Sequence, residues 1–241
     1  MKIIVSPAKT QQNEVCLDQA FTQPRFEEES QQLVDILGGF SEKKIAQVMK
    51  IQGKLLDETR ILISQYKKSR PTHGICLYTG LVFKELMDHE FSQEELSYLE
   101  DHVRILSALY GVVHPFDKVR PYRLDMKMKV IESGLYKYWS LLINDYFKEE
   151  LIINLASDEF SKLIKRPMVT ISFKEEKEKS LYKTIGTYSK QARGNMLAWL
   201  IANQINEIEL LKDFNGLGYR YNEKISAENN LVFTRSKNFL L

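Results

Sequence analysis

The chain has 241 residues, and its 34 Lys and Arg against 32 Asp and Glu leave a formal charge of only +2, so a polyanion partner would have to be held by a local basic patch. With 44% hydrophobic residues, 6 Pro and 11 Gly, the composition is globular and excludes a disordered chain. No apolar run approaches the roughly 20 residues that span a bilayer. The residues Met1 to Pro7 hold too short an apolar stretch for a signal peptide, so a cytoplasmic protein is expected. Cys16 and Cys76 form no CxxC pair and are expected to be reduced thiols.

Taken in chain order, Lys2 to Val5 is a short apolar strand, stopped by Ser6-Pro7 because proline has no amide to donate to a ladder. Lys9 follows its carboxyl end, where α/β sheets commonly bind ligands. From Ser30 the apolar spacing is helical through Leu33, Ile36 and Leu37; Gly38-Gly39 interrupts it, and Ser41 can cap a second helix carrying Ile45, Val48 and Met49. Residues 30–51 therefore read as a helix, a hairpin and a helix. A third helix is expected over about Leu55–Tyr66, and Ile75–Tyr78 reads as a strand. Ser92-Gln93-Glu94-Glu95 matches a capping box, and Leu96, Leu99, Val103, Leu106 and Tyr110 behind it continue a helical period as far as Gly111. Further along come a helix over Leu135–Glu149 and a strand over Leu151–Leu155, with another helix starting at Ala156-Ser157. Strands at Val169–Phe173 and Leu181–Ile185, a helix over Ala192–Ile205 and a strand at Leu231–Phe233 complete the pattern. No linker, repeat or low-complexity tract divides it. The expected fold is mixed α/β of α+β-like character, one compact domain over residues 1–241 with a central mixed sheet flanked by helices.

No P-loop, GxSxG, HExxH or GxGxxG motif is present, and His73, His89, His102 and His114 lack metal-ligand spacing, so neither a metal nor a cofactor is expected. Between Lys118 and Lys137 six basic residues (Lys118, Arg120, Arg123, Lys127, Lys129, Lys137) outnumber Asp125 and Glu132, with Tyr122 and Tyr136 among them. Such a strip can neutralise phosphates while its rings stack on bases, or it can be a solvated surface with half-packed tyrosines. In the 30–51 hairpin, amides at a helix start can meet a phosphate, with Lys43 and Lys44 adding charge, although glycine also serves turn geometry alone. Asn154, Ser157, Asp158 and Glu159 surround the end of the Leu151 strand, and Lys190 and Arg193 precede the late helix. Ser157 can simply cap its helix. If these groups converge in one cleft, an anion or nucleotide pocket is the better reading.

Five blocks in order, Lys2–Thr10, Arg104–Val112, Pro121–Met126, Asn154–Phe160 and Lys190–Gly194, resemble those of the YaaA proteins, and the resemblance runs from Met1 to the Leu231–Phe233 segment. It implies an α/β fold with a positively charged cleft and a helix-hairpin-helix element that binds duplex or branched DNA. A cellular role in limiting hydrogen peroxide damage, tied to lower free iron, is implied as well. The family usually has an acidic residue and a tyrosine where this chain has Leu81 and Phe83, and an arginine where it has His114.

The leading expectation is thus a DNA-binding stress protein, monomeric and without a membrane partner. It would grip phosphates through Lys9, Lys43, Lys44, Arg104, Arg120, Arg123, Lys190 and Arg193, with Asn154 and Ser157 in the cleft and Tyr122 available to stack. The alternative is an enzyme acting on a nucleobase or damaged DNA, with Asp158 or Glu159 as acid or base on a base swung out of the stack.

Overall fold

The structure, a computed structural model, describes residues 1–87, 89–178 and 181–236. Among them eight strands build one mixed sheet: β1 (Lys2–Val5), β2 (Val103–Ser107), β3 (Gly111–Val113), β4 (Ile152–Asn154), β5 (Val169–Glu178), β6 (Leu181–Lys183), β7 (Arg220–Tyr221) and β8 (Asn230–Arg235). Their spatial order is β3-β2-β1-β4-β5-β8-β7, with β6 attached to β5. The inner pairs β2/β1, β1/β4, β4/β5 and β5/β8 are parallel. The β3, β6 and β7 strands are antiparallel additions.

Six longer helices accompany the sheet: α1 (Glu27–Gly38), α2 (Glu42–Met49), α3 (Lys54–Gln65), α4 (Gln93–His102), α5 (Leu135–Tyr146) and α6 (Gly186–Ala202). The α4 and α6 helices touch each other and cover β1, β2 and β5. The β1 residues Ile3, Ile4 and Val5 are completely buried, as the centre of a parallel sheet covered by helices requires. No helix among the described residues is long and apolar enough to cross a membrane.

Local chemistry sets the helix starts. Ser41 accepts from the Lys44 amide at 3.3 Å to cap α2. At α4, Ser92 Oγ accepts from the Glu95 amide while the Glu95 carboxylate accepts from the Ser92 amide at 2.7 Å, which completes the capping box. Gly39, between α1 and α2, has a φ of −81°, so the turn there uses ordinary right-handed backbone.

Three expectations are overturned. The helix behind Ser92 stops at His102, and Val103–Ser107 is the fully buried strand β2. A central parallel strand is apolar on both faces and has no period of its own, so its residues extended the helical count by coincidence. Ile75–Tyr78 is not a strand: Gly74–Leu77 is a single helical turn, and Tyr78 alone pairs, through an isolated bridge to Gln11. The cysteines are not free thiols. The segment after β1 folds back along residues 77–79, which brings the Cys16 and Cys76 Cα atoms to 5.8 Å and closes a disulfide.

Candidate functional site

From β1 the chain moves to β2 and β3 on one side; it then returns over α5 to β4 on the other side of β1 and continues outward to β5. Strand order thus reverses between β1 and β4, and in such sheets the loops leaving the carboxyl ends of those two strands diverge and open a crevice. Here the two loops are joined at the floor. Ser6 Oγ accepts from the Ser157 amide at 2.8 Å, and the two hydroxyls lie 3.0 Å apart. Ser157 occupies the N-cap position of the Asp158–Ser161 turn, yet its side chain makes no capping bond, because it is directed to Ser6 instead.

Above this floor is a cavity of about 430 Å³. Ser6–Gln11 after β1, Gly80–Phe83, Tyr122–Asp125, Leu155–Phe160 in part, and Lys190 with Arg193 on α6 line it. Two close approaches hold the walls together. A Cβ on Gly80 would stand 2.6 Å from that of Ala8, and one on Gly194 would stand 2.5 Å from the Val82 carbonyl oxygen. Only glycine lets α6 bring Arg193 this near the Leu81–Val82 backbone.

Lys9, Arg123, Lys190 and Arg193 face Asp125 and Glu159 in the lining, an excess of positive charge in a chain of near-zero net charge. Lys9, 77% exposed, pairs with Asp125 at 3.4 Å and bridges the β1 loop to the Tyr122 segment. Arg123 and Arg193 differ from it: each Nε is buried and without a hydrogen-bond partner among the described residues. Burial lowers the Arg193 pKa from its ordinary value, with Asp158 opposing the shift, but a guanidinium stays charged at any physiological pH. Burying a donor with nothing to donate to is unfavourable. Tyr122 forms part of the floor, where its hydroxyl meets Ser107 at 2.8 Å and Tyr78 at 3.2 Å. Burial pushes its pKa up to about 12, so it stays neutral.

Of the expected site residues, Lys9, Tyr122, Arg123, Ser157, Glu159, Lys190 and Arg193 line this cavity. Others lie elsewhere. Arg104 is 4% exposed, and its guanidinium turns back to donate to the Glu100, Val103 and Asp101 carbonyls and to the Tyr146 hydroxyl. Arg120 donates to the Ser69 carbonyl at 3.0 Å and so fastens the turn before Pro71. Asn154 accepts from the Ala156 amide and donates to Thr170, which steers the chain out of β4. Asp158 is exposed outside the cavity lining, and Lys43 and Lys44 stand exposed on α2.

The Gly80–Phe83 wall carries no expected binding residue, but Leu81 and Phe83, departures expected to fall in the cleft, do line it and make this side of the cavity apolar. Gly80 and Gly194 were the available signal. His114, the third departure, is away from the cavity, with Tyr146 at 2.8 Å and Glu100 at 3.5 Å.

These features define a mixed α/β protein with a cationic crevice at the carboxyl ends of its central parallel strands. A family profile described as "Peroxide stress protein YaaA" matches residues 1–225. A UPF0246 protein of Fusobacterium nucleatum is 41% identical over 98% of this chain and 99% of its own length, and one of Crocosphaera subtropica is 36% identical over 98% and 100%. The chain belongs to the YaaA peroxide-stress family.

Proposed function

We propose that this chain is a cytoplasmic, monomeric, single-domain DNA-binding protein of the peroxide response that grips a phosphate-bearing strand in the β1/β4 crevice. The observation that carries the reading is the pair of buried, unpartnered Nε atoms of Arg123 and Arg193 in one cavity. A phosphodiester supplies the acceptors they lack, and Lys9 and Lys190 at the rim extend the contact along the backbone. The α1–α2 turn, read as a helix-hairpin-helix element, would add Lys43 and Lys44 to a duplex or branched substrate. Bound DNA would be shielded from peroxide damage, with lowered free iron as the cellular counterpart that the family resemblance implies. Titration of a labelled duplex from 50 to 200 mM salt should give an affinity falling steeply with salt, and Arg123→Ala should weaken it about equally for all sequences. Salt-independent binding, or none, overturns the proposal.

A second reading rests on the shape of the cavity. With about 430 Å³ behind apolar Leu81, Phe83 and Phe160, it has room for more than a phosphate group. An extruded nucleotide would bring its base to the Glu159 side of the cavity, so that residue, not Asp158, is the acid or base of a nucleobase enzyme. Incubation with lesion-bearing oligonucleotides, read for base release or strand change, separates this from simple binding.

A further inference from the structure

The two cysteines of this chain, Cys16 and Cys76, are joined across 60 residues of sequence. They differ in access, Cys16 being exposed and Cys76 completely buried. The disulfide stands beside a short pairing of two segments that go on to form cavity walls. The Gln12 amide donates to the Leu77 carbonyl at 2.9 Å and its side chain to the Cys76 carbonyl at 3.2 Å, while the Thr79 amide donates to the Thr10 carbonyl at 3.1 Å. Just along the chain, Lys9–Gln11 and Gly80–Phe83 line the cavity. The loop is also held by the Thr72 hydroxyl on the Glu14 carbonyl, by His73 at the Gln19 carbonyl and by the Tyr122 amide on the Gln11 side chain, and the Cys16–Cys76 bond is the covalent tie among these.

We propose that Cys16 and Cys76 form a reversible oxidation site for hydroperoxides, and that its closure clamps the two walls of the crevice. In a reducing compartment a cysteine pair of this kind rests as two thiols and serves sensing more often than scaffolding. Cys16, the accessible member, attacks the hydroperoxide as the thiolate and takes one oxygen to become a sulfenic acid, with release of an alcohol or, from hydrogen peroxide, water. Cys76 then attacks the Cys16 sulfur; the S–S bond forms, the S–O bond breaks, and the oxygen leaves as water. The balance is two thiols and one hydroperoxide giving one disulfide, one water and one alcohol or second water. A dithiol reductant reverses it.

The closed form is the one described above, with the Gln12–Leu77 and Thr79–Thr10 bonds in place. Opening the disulfide frees the 10–16 segment to lift from residues 76–79. The pocket residues on that segment, Thr10 and Gln11, and Lys9 just before it are then held by fewer constraints.

The test is hydrogen exchange on the full chain, reduced with a phosphine and then reoxidised with one equivalent of hydrogen peroxide. Reduction should speed exchange of the Gln12 and Thr79 amides roughly tenfold or more, while the Leu155 amide, bonded to Ile4 between β4 and β1, is unchanged. Peroxide should restore slow exchange, with loss of both alkylatable thiols in the monomer. Cys16→Ser, at an exposed position, should exchange fast in either condition, and Cys76→Ala should do the same. Equal exchange in the two states, thiols that survive peroxide, or disulfides formed only between molecules each overturn the proposal. A labelled duplex titrated into both forms keeps this inference distinct from the DNA reading. Tighter binding by the oxidised form is expected. Changed exchange with no duplex bound in either form leaves the oxidation site standing and removes the DNA reading, whereas equal duplex affinity in both forms overturns control of the crevice by the disulfide.

Discussion

Ser6 and Ser157, 151 residues apart in sequence, meet at 3.0 Å where the two central parallel strands end. The contact is unequal. Ser6 Oγ also accepts from the Ser157 amide, whereas the Ser157 hydroxyl meets no second partner among the described residues. Ser6→Ala therefore leaves a backbone donor unsatisfied beside the crevice, and we expect a loss of about 1–2 kcal/mol in urea unfolding. Ser157→Ala keeps the amide bond to Ser6 and should cost less than half as much. Equal losses would show that the hydroxyl pair, not the amide, secures the floor.

The unpartnered arginines predict an unusual separation of stability from binding. Arg193→Met keeps most of the apolar stem and removes a half-buried guanidinium whose Nε has no hydrogen-bond partner among the described residues. The expected result is an unchanged or raised melting temperature together with weakened binding of phosphate-bearing ligands, as at sites where function and stability compete. Arg104→Met should behave in the opposite way: it removes the buried donors to the Glu100 and Val103 carbonyls, while Asp101 keeps Lys2 and Tyr146 keeps His114, and a loss of about 1–3 kcal/mol is expected with no direct effect in the crevice. Thermal scans with and without a short oligonucleotide measure both.

Gly194 tests whether α6 must sit tightly on the Gly80–Phe83 wall. A methyl at this position would be 2.5 Å from the Val82 carbonyl oxygen, a backbone atom that cannot rotate away. Gly194→Ala should cost about 1–3 kcal/mol through overpacking, in spite of the better helix propensity of alanine, and should shift Arg193 out of register with Arg123. A stabilised variant would mean that the wall yields freely.

How much of this could be seen in the sequence depended on how local each feature is. The β1 strand, the capping box at Ser92 and the β4 strand follow from propensity and patterning over a few residues and appear close to where those signals put them, whereas α6 begins at Gly186 rather than Ala192, so that Lys190 and Arg193 lie on the helix and not before it. The β2 strand was hidden because a strand buried on both faces carries no alternation, and its residues completed a helical pattern begun by α4. Position after a strand end was a better guide to the crevice than charge. Lys9, Ser157 and Glu159 reach it from strand termini, while Arg104 and Asn154, of equally suitable type, spend their polar groups on nearby backbone. The Cys16–Cys76 bond depends on the register of residues 10–12 against 77–79, which cysteine spacing does not reveal.

Asp117 gives a pH dependence whose sign can be fixed. It is 1% exposed, accepts from the His114 amide at 2.7 Å and from the Thr22 hydroxyl at 2.9 Å, and lies near the Glu100 carboxylate and the His114 ring. Burial pushes its pKa up to about 6, with its hydrogen bonds and His114 opposing, from an ordinary value of 3.8. Between those two pH values the folded protein holds a proton that the unfolded chain has lost. Unfolding then releases a proton, so this group's contribution to stability is greatest below pH 4 and declines as pH rises toward 6, by about 2–3 kcal/mol in all. Most carboxylates produce the opposite slope, so the measurement needs a reference. Asp117→Asn keeps an acceptor for the His114 amide and removes the titration, and the difference in urea unfolding between wild type and variant, followed from pH 4 to pH 7, should grow in favour of the variant and level off above pH 6. A flat difference would show that Asp117 is ionised in the folded protein throughout, with the Thr22 and His114 bonds outweighing burial.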